Sequence, residues 1–458
     1  MTNEHFEVLV IGGGPAAITM AKGLGTRVRM GVIRREAHSM IYCAMPYAVE
    51  GLLQPEKTLK ADTLVTETGA HLIRDTVTGV DFEKKSVTTQ AGNSYTWDKL
   101  VIATGAEPVL PPLKGHELEG VSTFKKEEEM FKVTTMVEEG MENAVVIGAG
   151  AIGVELAQAL AARGVHTVLA DMADSVLPNL ADPEMTAPAA EELQRLGIRL
   201  KLGRKALELR ARENNPALIG GVVFDDGSLE KADLVVFAVG MRPEVSLFEG
   251  SGLEIARDGI IVDSRMRTSI EDVYAVGDCV SFTSAITGEP AGGKLATNAV
   301  PMGRVLAANL KGEDREYPGF INGAATKAGE LFVGGTGMKE EEAKGHFQVI
   351  CGYSEFTTTF PIMPGAKKAR LKLLADSESG RIIGGQIVSG QPVTDKIDQM
   401  SMAIQFGLRV EDLLNFSYSS QPWQSFYPAH NLLVKAAEEL SIQLSGPDRK
   451  PAALVEAR

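Results

Sequence analysis

Residues 6–11 (FEVLVI) form a short β-branched apolar run. It enters Gly12-Gly13-Gly14-Pro15-Ala16-Ala17, and an Ala-rich stretch then runs to about Leu24 before Gly25. The pattern predicts a buried parallel strand, a G-x-G-x-x-A turn and a helix. In such a turn the backbone comes close to a pyrophosphate while the helix N-terminus offers N–H groups and the positive end of its dipole. One copy is weak, because Gly-rich turns precede helices for other reasons. Here there is a second. Residues 144–147 lead into Gly148-Ala149-Gly150-Ala151-Ile152-Gly153, with Glu155 inside a helix predicted over residues 154–163 and Gly164 behind it. Two such loops imply two bound dinucleotides on an α/β scaffold of Rossmann type, and the expected pair is one flavin and one nicotinamide.

The strand after the second loop, residues 165–170, ends at Asp171, 23 positions beyond Gly148. An acid there suits a bidentate grip on the adenosine ribose and repels a 2′-phosphate, so NADH is expected over NADPH. In the first half the corresponding stretch reads Ile33-Arg34-Arg35-Glu36, which leaves Glu36 as the candidate for the flavin ribose. Further strands are expected at residues 99–103 running into Thr104-Gly105, at 233–239 ending at Gly240-Met241-Arg242-Pro243, and at 273–276 before Gly277-Asp278. A carboxylate such as Asp278 at a strand end can accept hydrogen bonds from a ribityl hydroxyl.

At 458 residues the chain is too long for one ordinary core. The net charge of −14 argues against a nucleic-acid or anionic-membrane surface, and the N-terminal apolar run is too short for a membrane span. Three scattered cysteines form neither a disulfide framework nor, without clustered histidines, a metal site, so a reducing cytoplasm is the expected compartment. From about Ala325 no nucleotide loop occurs. Strands near residues 331–333 and 370–374, then a helix over 396–406, suggest a separate α+β domain, followed by the aromatics Phe416, Tyr418, Trp423, Phe426 and Tyr427. Packing and an active-site role are equally open for that segment. The tail after Leu444 is expected to be mobile.

Cys43 lies in Ser39-Met40-Ile41-Tyr42-Cys43-Ala44-Met45-Pro46-Tyr47, just past the first loop. Alone it reads as a buried structural thiol or as a redox group beside a bound cofactor. Cys279 and Cys351 read as structural; for His430 a packing role and a proton-transfer role beside the thiol both stay open. The basic residues Lys22, Arg27, Arg29, Arg34, Arg35, Lys57 and Lys60 read as a solvated face, with phosphate binding as the alternative.

The two loops together with Thr104-Gly105, Gly240-Met241-Arg242-Pro243 and Gly277-Asp278 resemble the FAD- and NAD(P)-dependent pyridine nucleotide–disulfide oxidoreductases over nearly the whole chain. Ser39-x-x-x-Cys43 is similar to the single-cysteine branch, which contains coenzyme A disulfide reductases, NADH oxidases and peroxidases, and persulfide or polysulfide reductases. Ala48 stands where dithiol members carry a second cysteine. Tyr42 departs from the Asn usual in coenzyme A disulfide reductases, only Tyr418 matches their C-terminal tyrosine pair, and the first loop lacks the His of peroxidases.

The resemblance implies an FAD domain in two segments (residues 1–118 and 245–324), an NAD domain at 119–244, a dimerisation domain at 325–445 and a tail at 446–458. It implies FAD contacts from Gly12, Gly14, Pro15, Ala16, Glu36, Ser39, Val77, Ala103, Thr104, Gly105, Asp278, Ala296 and Thr297, the last two opening a helix beneath the flavin. NADH contacts would come from Gly148, Gly150, Ile152, Gly153, Glu155, Asp171 and Gly240. Cys43, with Tyr418 or Tyr427 as proton donor from a partner subunit, would carry the chemistry of a homodimer with a shared active site. The expected activity is reduction of a disulfide, persulfide or polysulfide. The alternatives are an NADH oxidase or peroxidase passing through a cysteine sulfenic acid, and an electron-transfer flavoprotein serving an iron–sulfur protein.

Overall fold

The computed structural model describes residues 3–445, so the tail lies outside the described residues. The chain divides into two compact units. One holds the residues up to Gly148, Ala162–Val165 and Ala206–Phe320; the other holds Ala149–Ala161, His166–Lys205 and the chain from Ile321. No helix among the described residues is long and apolar enough to cross a membrane.

The first unit is built on a sheet in which Asn3–Ile11 lies between Met30–Arg34 and Ser94–Ile102, all parallel, with His71–Arg74 and Val273–Ala275 extending it in parallel and Ser86–Thr89 and Val77–Asp81 in antiparallel fashion. The central strand is apolar on both faces, as a doubly covered parallel strand must be: Val8, Leu9, Val10 and Ile11 are all buried. The helices Pro15–Leu24 and Ala296–Asn309 pack together closely enough that a Cβ on Gly303 would meet the Ala16 carbonyl at 2.8 Å. The same unit contains Asn143–Ile147, Leu234–Phe237 and Val121–Ser122 in parallel, and the antiparallel meander Ala206–Arg212, Asn215–Phe224, Leu229–Lys231. A two-stranded ribbon pairs Ser39 with Lys60 and Met40 with Leu59.

In the second unit His166–Ala170 pairs in parallel with Arg199–Lys201, and Pro183–Arg195 forms a helix between them. A five-stranded antiparallel sheet runs in the order Ala324–Ala328, Leu331–Gly337, Ile382–Ser389, Lys368–Asp376, Val349–Thr357, with the helices Thr394–Gln405 and Leu432–Leu444 against it. The helix predicted at 396–406 thus starts two residues earlier, its buried face being Ile397, Met400, Ala403 and Ile404. Side chains of the second-loop helix reach the hairpin at Gly329. Gln158 donates from Nε2 to the Lys327 carbonyl (2.9 Å) and accepts at Oε1 from the Gly329 N–H (2.5 Å), while Thr326 donates to Glu155 Oε1 (2.7 Å). Gln158 thereby satisfies two backbone groups as a neighbouring strand would.

Candidate active site

The two loops repeat one geometry. Gly12 (φ +115°) and Gly148 (φ +110°) each turn so tightly that a Cβ would strike the carbonyl oxygen at the end of the adjacent strand, Ala103 at 2.1 Å and Ala238 at 2.4 Å. Only glycine tolerates that φ and that approach. The second glycine of each loop, Gly14 or Gly150, has nothing within 4 Å of a built Cβ, so each loop presents open space where a phosphate would lie. Pro15 opens the first helix, where its missing N–H costs nothing, and Ala16 is buried behind it.

In the first unit four buried side-chain polar atoms lack a partner within the chain: Ser39 Oγ, Trp97 Nε1, Asp278 Oδ1 and Asn298 Nδ2. Orphaned buried polar atoms are rare in a finished interior, and of the four in this unit Ser39, Asp278 and Asn298 are of a kind that fits a polar, hydroxyl-rich nucleotide such as FAD. Asp278 is pushed up by burial, opposed by the ammonium groups of Lys125 and Lys294. Lys125 is itself lowered by burial, lies 5.4 Å from the centroid of the Tyr42 ring and donates to the Ala106 carbonyl. Burial first, then Glu36, Glu107 and Asp278, hold the Tyr42 phenol up at about 12. Thr104 Oγ1 donates to the Glu244 carbonyl (2.5 Å) and Gly105 turns at φ +76°. Ala296 and Thr297 do open the helix Ala296–Asn309, and Pro301, one turn on, supplies no N–H to the Thr297 carbonyl. Val77 begins an antiparallel strand opposite Thr89. Glu36 is exposed and ion-paired with Arg35 (3.0 Å), whereas the strand before it ends at Arg34, whose buried side chain fills the space beside Gly13 and donates to Asp62 (2.8 Å).

Cys43 is exposed and sits in a 3₁₀ turn, Tyr42–Ala44, that runs straight into the helix Met45–Glu50. Lys60, on the ribbon strand opposite Ser39, is half-buried; burial lowers its pKa, the Cys43 thiol acts to raise it and Lys22 to lower it. Among the seven basic residues of this face, Arg29, Arg34 and Arg35 are ion-paired, with Glu4, Asp62 and Glu36 respectively. Cys279 is fully buried, its thiol donating to the Val276 carbonyl (3.3 Å), and burial pushes the half-buried Cys351 up to about 12.

In the second unit Asp171 accepts from the Ala149 N–H at Oδ2 (2.6 Å) and from the Ala173 N–H at Oδ1 (2.8 Å), so it braces the glycine loop with one lone pair per oxygen and keeps others for a ribose. Ile152 is exposed and Gly153 buried on the loop helix. Burial raises the Glu155 carboxyl, and the Thr326 hydrogen bond opposes that effect. In the first unit, Gly240 turns at φ +108° just past the strand Leu234–Phe237. The Tyr418 hydroxyl donates to the Pro428 carbonyl (2.6 Å), Tyr427 packs edge-on to Phe360 (5.3 Å), and His430 stacks on Phe356 (4.4 Å, 9°), which makes it a packing residue. Trp423, Ile362, Phe406, Tyr427 and Met402 are exposed on the second unit. Lys60, Lys125 and Asn298 were not among the residues singled out for the site by motif; only the pairing of Lys60 with a basic face was legible.

Residues 6–303 match the family described as pyridine nucleotide-disulphide oxidoreductase, and residues 324–425 match its dimerisation domain. A protein from Methanocaldococcus jannaschii named NADH oxidase is 33% identical over 95% of this chain and 99% of its own length. One from Pyrococcus horikoshii named NAD(P)H coenzyme A polysulfide/persulfide reductase is 31% identical over 96% of this chain and 99% of its own. The structure of an NAD-dependent persulfide reductase from A. fulgidus superposes with a TM-score of 0.90 at 31% identity, covering 97% of this chain and 84% of that one. With the family matched across both regions and relatives similar over their whole length, the chain belongs to the pyridine nucleotide–disulphide oxidoreductases and is an oxidoreductase dependent on FAD and NAD(P)H.

Proposed function

We propose that the protein uses NADH to reduce a disulfide, persulfide or polysulfide, including coenzyme A conjugates, through Cys43. The observation that carries this reading is the exposed Cys43 thiol in the same unit as the FAD loop, with Ala48 where a second cysteine would make a dithiol centre. FAD, when bound, accepts two electrons from NADH and passes them on. Gly12, Gly14, Asp278, Ser39, Ala296 and Thr297 would hold it. Gly148, Gly150, Glu155 and Asp171 would hold NADH, with Asp171 selecting against a 2′-phosphate. On this reading the FAD domain takes residues 1–118 and 245–324, the NAD domain 119–244 and the dimerisation domain 325–445, the last overlapping the dimerisation match at 324–425.

The Cys43 thiolate attacks one sulfur of the substrate RS–SR′, forming Cys43–S–SR and expelling R′S⁻. Two electrons and a proton originating in NADH then cleave that bond, regenerating the Cys43 thiolate and releasing RSH. The sum is NADH + H⁺ + RSSR′ giving NAD⁺ + RSH + R′SH. A proton for the leaving sulfur would come from Tyr418 or Tyr427 of a second copy, once the Tyr418 hydroxyl gives up its Pro428 carbonyl. The exposed aromatics of the matched dimerisation domain favour a homodimer, and a free reactive thiol suits the cytoplasm.

Anaerobic reduction by NADH, followed by addition of coenzyme A disulfide, polysulfide, peroxide, dioxygen or a ferredoxin, tests the reading with wild type and Cys43→Ser. Rapid turnover of the sulfur acceptors by wild type and its loss in Cys43→Ser are expected. Equal turnover of every acceptor by both proteins sinks the sulfur mechanism, and preference for ferredoxin favours an iron–sulfur partner. The name of the M. jannaschii relative supports NADH oxidation by dioxygen as the second reading, and turnover of dioxygen faster than any sulfur acceptor would establish it.

A further inference from the structure

We propose that Lys60 determines the specificity of the Cys43 site, its ammonium selecting anionic sulfur chains (polysulfide and ionised persulfides) over neutral oxidants. The inference rests on the proposed role of Cys43 and adds the substrate's charge.

Basic residues near the first loop divide into two sets. Arg29, Arg34 and Arg35 are spent on carboxylates. Lys22, Arg27, Lys57 and Lys60 have no carboxylate partner among the described residues, and of these four only Lys60 is half-buried. A half-buried ammonium without a counter-ion pays a desolvation cost that solvent does not return. The burial is imposed by the ribbon: Ser39 pairs with Lys60, and the Ile41 N–H donates to the Thr58 carbonyl at 2.7 Å, which fixes the strand two residues before Cys43. The one opposite charge that acts on Lys60 is that of Cys43 when ionised, and Lys22 adds a second positive charge. Ser39, directly across the ribbon, carries a buried hydroxyl with no partner.

The chemistry needs such a cation. When the Cys43 thiolate attacks a polysulfide or an ionised persulfide, two like charges approach, and the expelled sulfur carries negative charge away. An ammonium at the meeting point offsets the repulsion on approach and stabilises the leaving anion. Dioxygen and hydrogen peroxide are neutral and gain nothing comparable on approach.

The test compares flavin-loaded wild type, Lys60→Met, Lys60→Arg and Cys43→Ser. Alkylation of Cys43 by anionic iodoacetate and by neutral iodoacetamide, with labelling located by peptide mass spectrometry, reads charge selection without turnover. Lys60→Met is expected to lower the iodoacetate-to-iodoacetamide rate ratio about five- to tenfold, the effect of one partly screened charge, and Lys60→Arg to restore it. The ratio of kcat/KM for polysulfide to that for dioxygen should fall by a similar factor. Ratios unchanged in Lys60→Met, or a loss shared equally by both alkylating agents, overturn the assignment while Cys43 chemistry survives. Polysulfide turnover by Cys43→Ser at the wild-type rate fails the cysteine reading first, and the specificity role with it.

Discussion

Lys372 Nζ lies 2.8 Å from Asp182 Oδ2, so an ammonium with no solvent exposure is held by the residue that precedes the helix Pro183–Arg195. Glu184 (2.5 Å) and Glu340 (2.7 Å) complete the ring, and Gln386 donates to Asp182 at 2.7 Å. A buried pair with this many hydrogen bonds is costly to break from one side, because the remaining charges are left without a partner. Lys372→Met should therefore destabilise the fold by about 3–5 kcal/mol, read from urea unfolding. A loss below about 1 kcal/mol would mean that water already compensates these carboxylates.

Glu340 gives the same unit an acid signature. Lys344 first and Lys372 second hold its carboxyl down at about 2, against an ordinary 4.5. A depressed carboxylate stabilises the folded state fully above its unfolded value, and that contribution disappears as pH falls from 4.5 towards about 2. Lys344→Ala should begin acid unfolding, followed by circular dichroism, at a higher pH than wild type; the stability difference between the two should be largest near neutral pH and shrink as pH falls towards about 2, where Glu340 is protonated in both.

The first glycine loop separates strain from access. Gly12→Ala meets the Ala103 carbonyl at 2.1 Å in a left-handed conformation, and should yield little folded protein. Gly14→Ala has open space and an ordinary φ of −77°, so it should fold with near-native melting of the FAD-free protein yet retain less FAD after gel filtration. Equal flavin content in Gly14→Ala and wild type would remove Gly14 from the FAD site.

Thr326→Val tests whether the C-terminal sheet tunes the NADH site. The substitution keeps the shape and removes the 2.7 Å hydrogen bond to Glu155, leaving burial to push that carboxyl further up. One hydrogen bond is worth about 1 kcal/mol, so KM for NADH should rise roughly three- to tenfold with a smaller change in kcat. Thr326→Ser should recover it. An unaltered KM in Thr326→Val would confine Glu155 to a structural role.

What the sequence made legible is what backbone chemistry compels. Gly12 and Gly148 must be glycine because a carbonyl lies against each, so the two loops announced themselves together with their strands and helices. Spacing from Gly148 also located Asp171, which proves to hold the Ala149 N–H as well as facing the loop. The same spacing served Glu36 less well, since the strand ends at Arg34 and the buried guanidinium, not the acid, lies beside Gly13. Lys125 acts on Asp278 from 153 positions away, and Asn298 is notable only because burial leaves its amide nitrogen unpartnered while Oδ1 accepts from the Tyr317 hydroxyl. Neither relation has a local pattern, because each is made by strands and helices that meet only in the folded chain.

The side-chain amide of Gln158 closing on Lys327 and Gly329 has a practical corollary for anyone recombining these enzymes. A coenzyme-binding segment transplanted between relatives would carry the helix but leave behind the turn that its glutamine reads. Successful hybrids should be those whose crossover points keep residues 151–162 and 324–331 from the same parent.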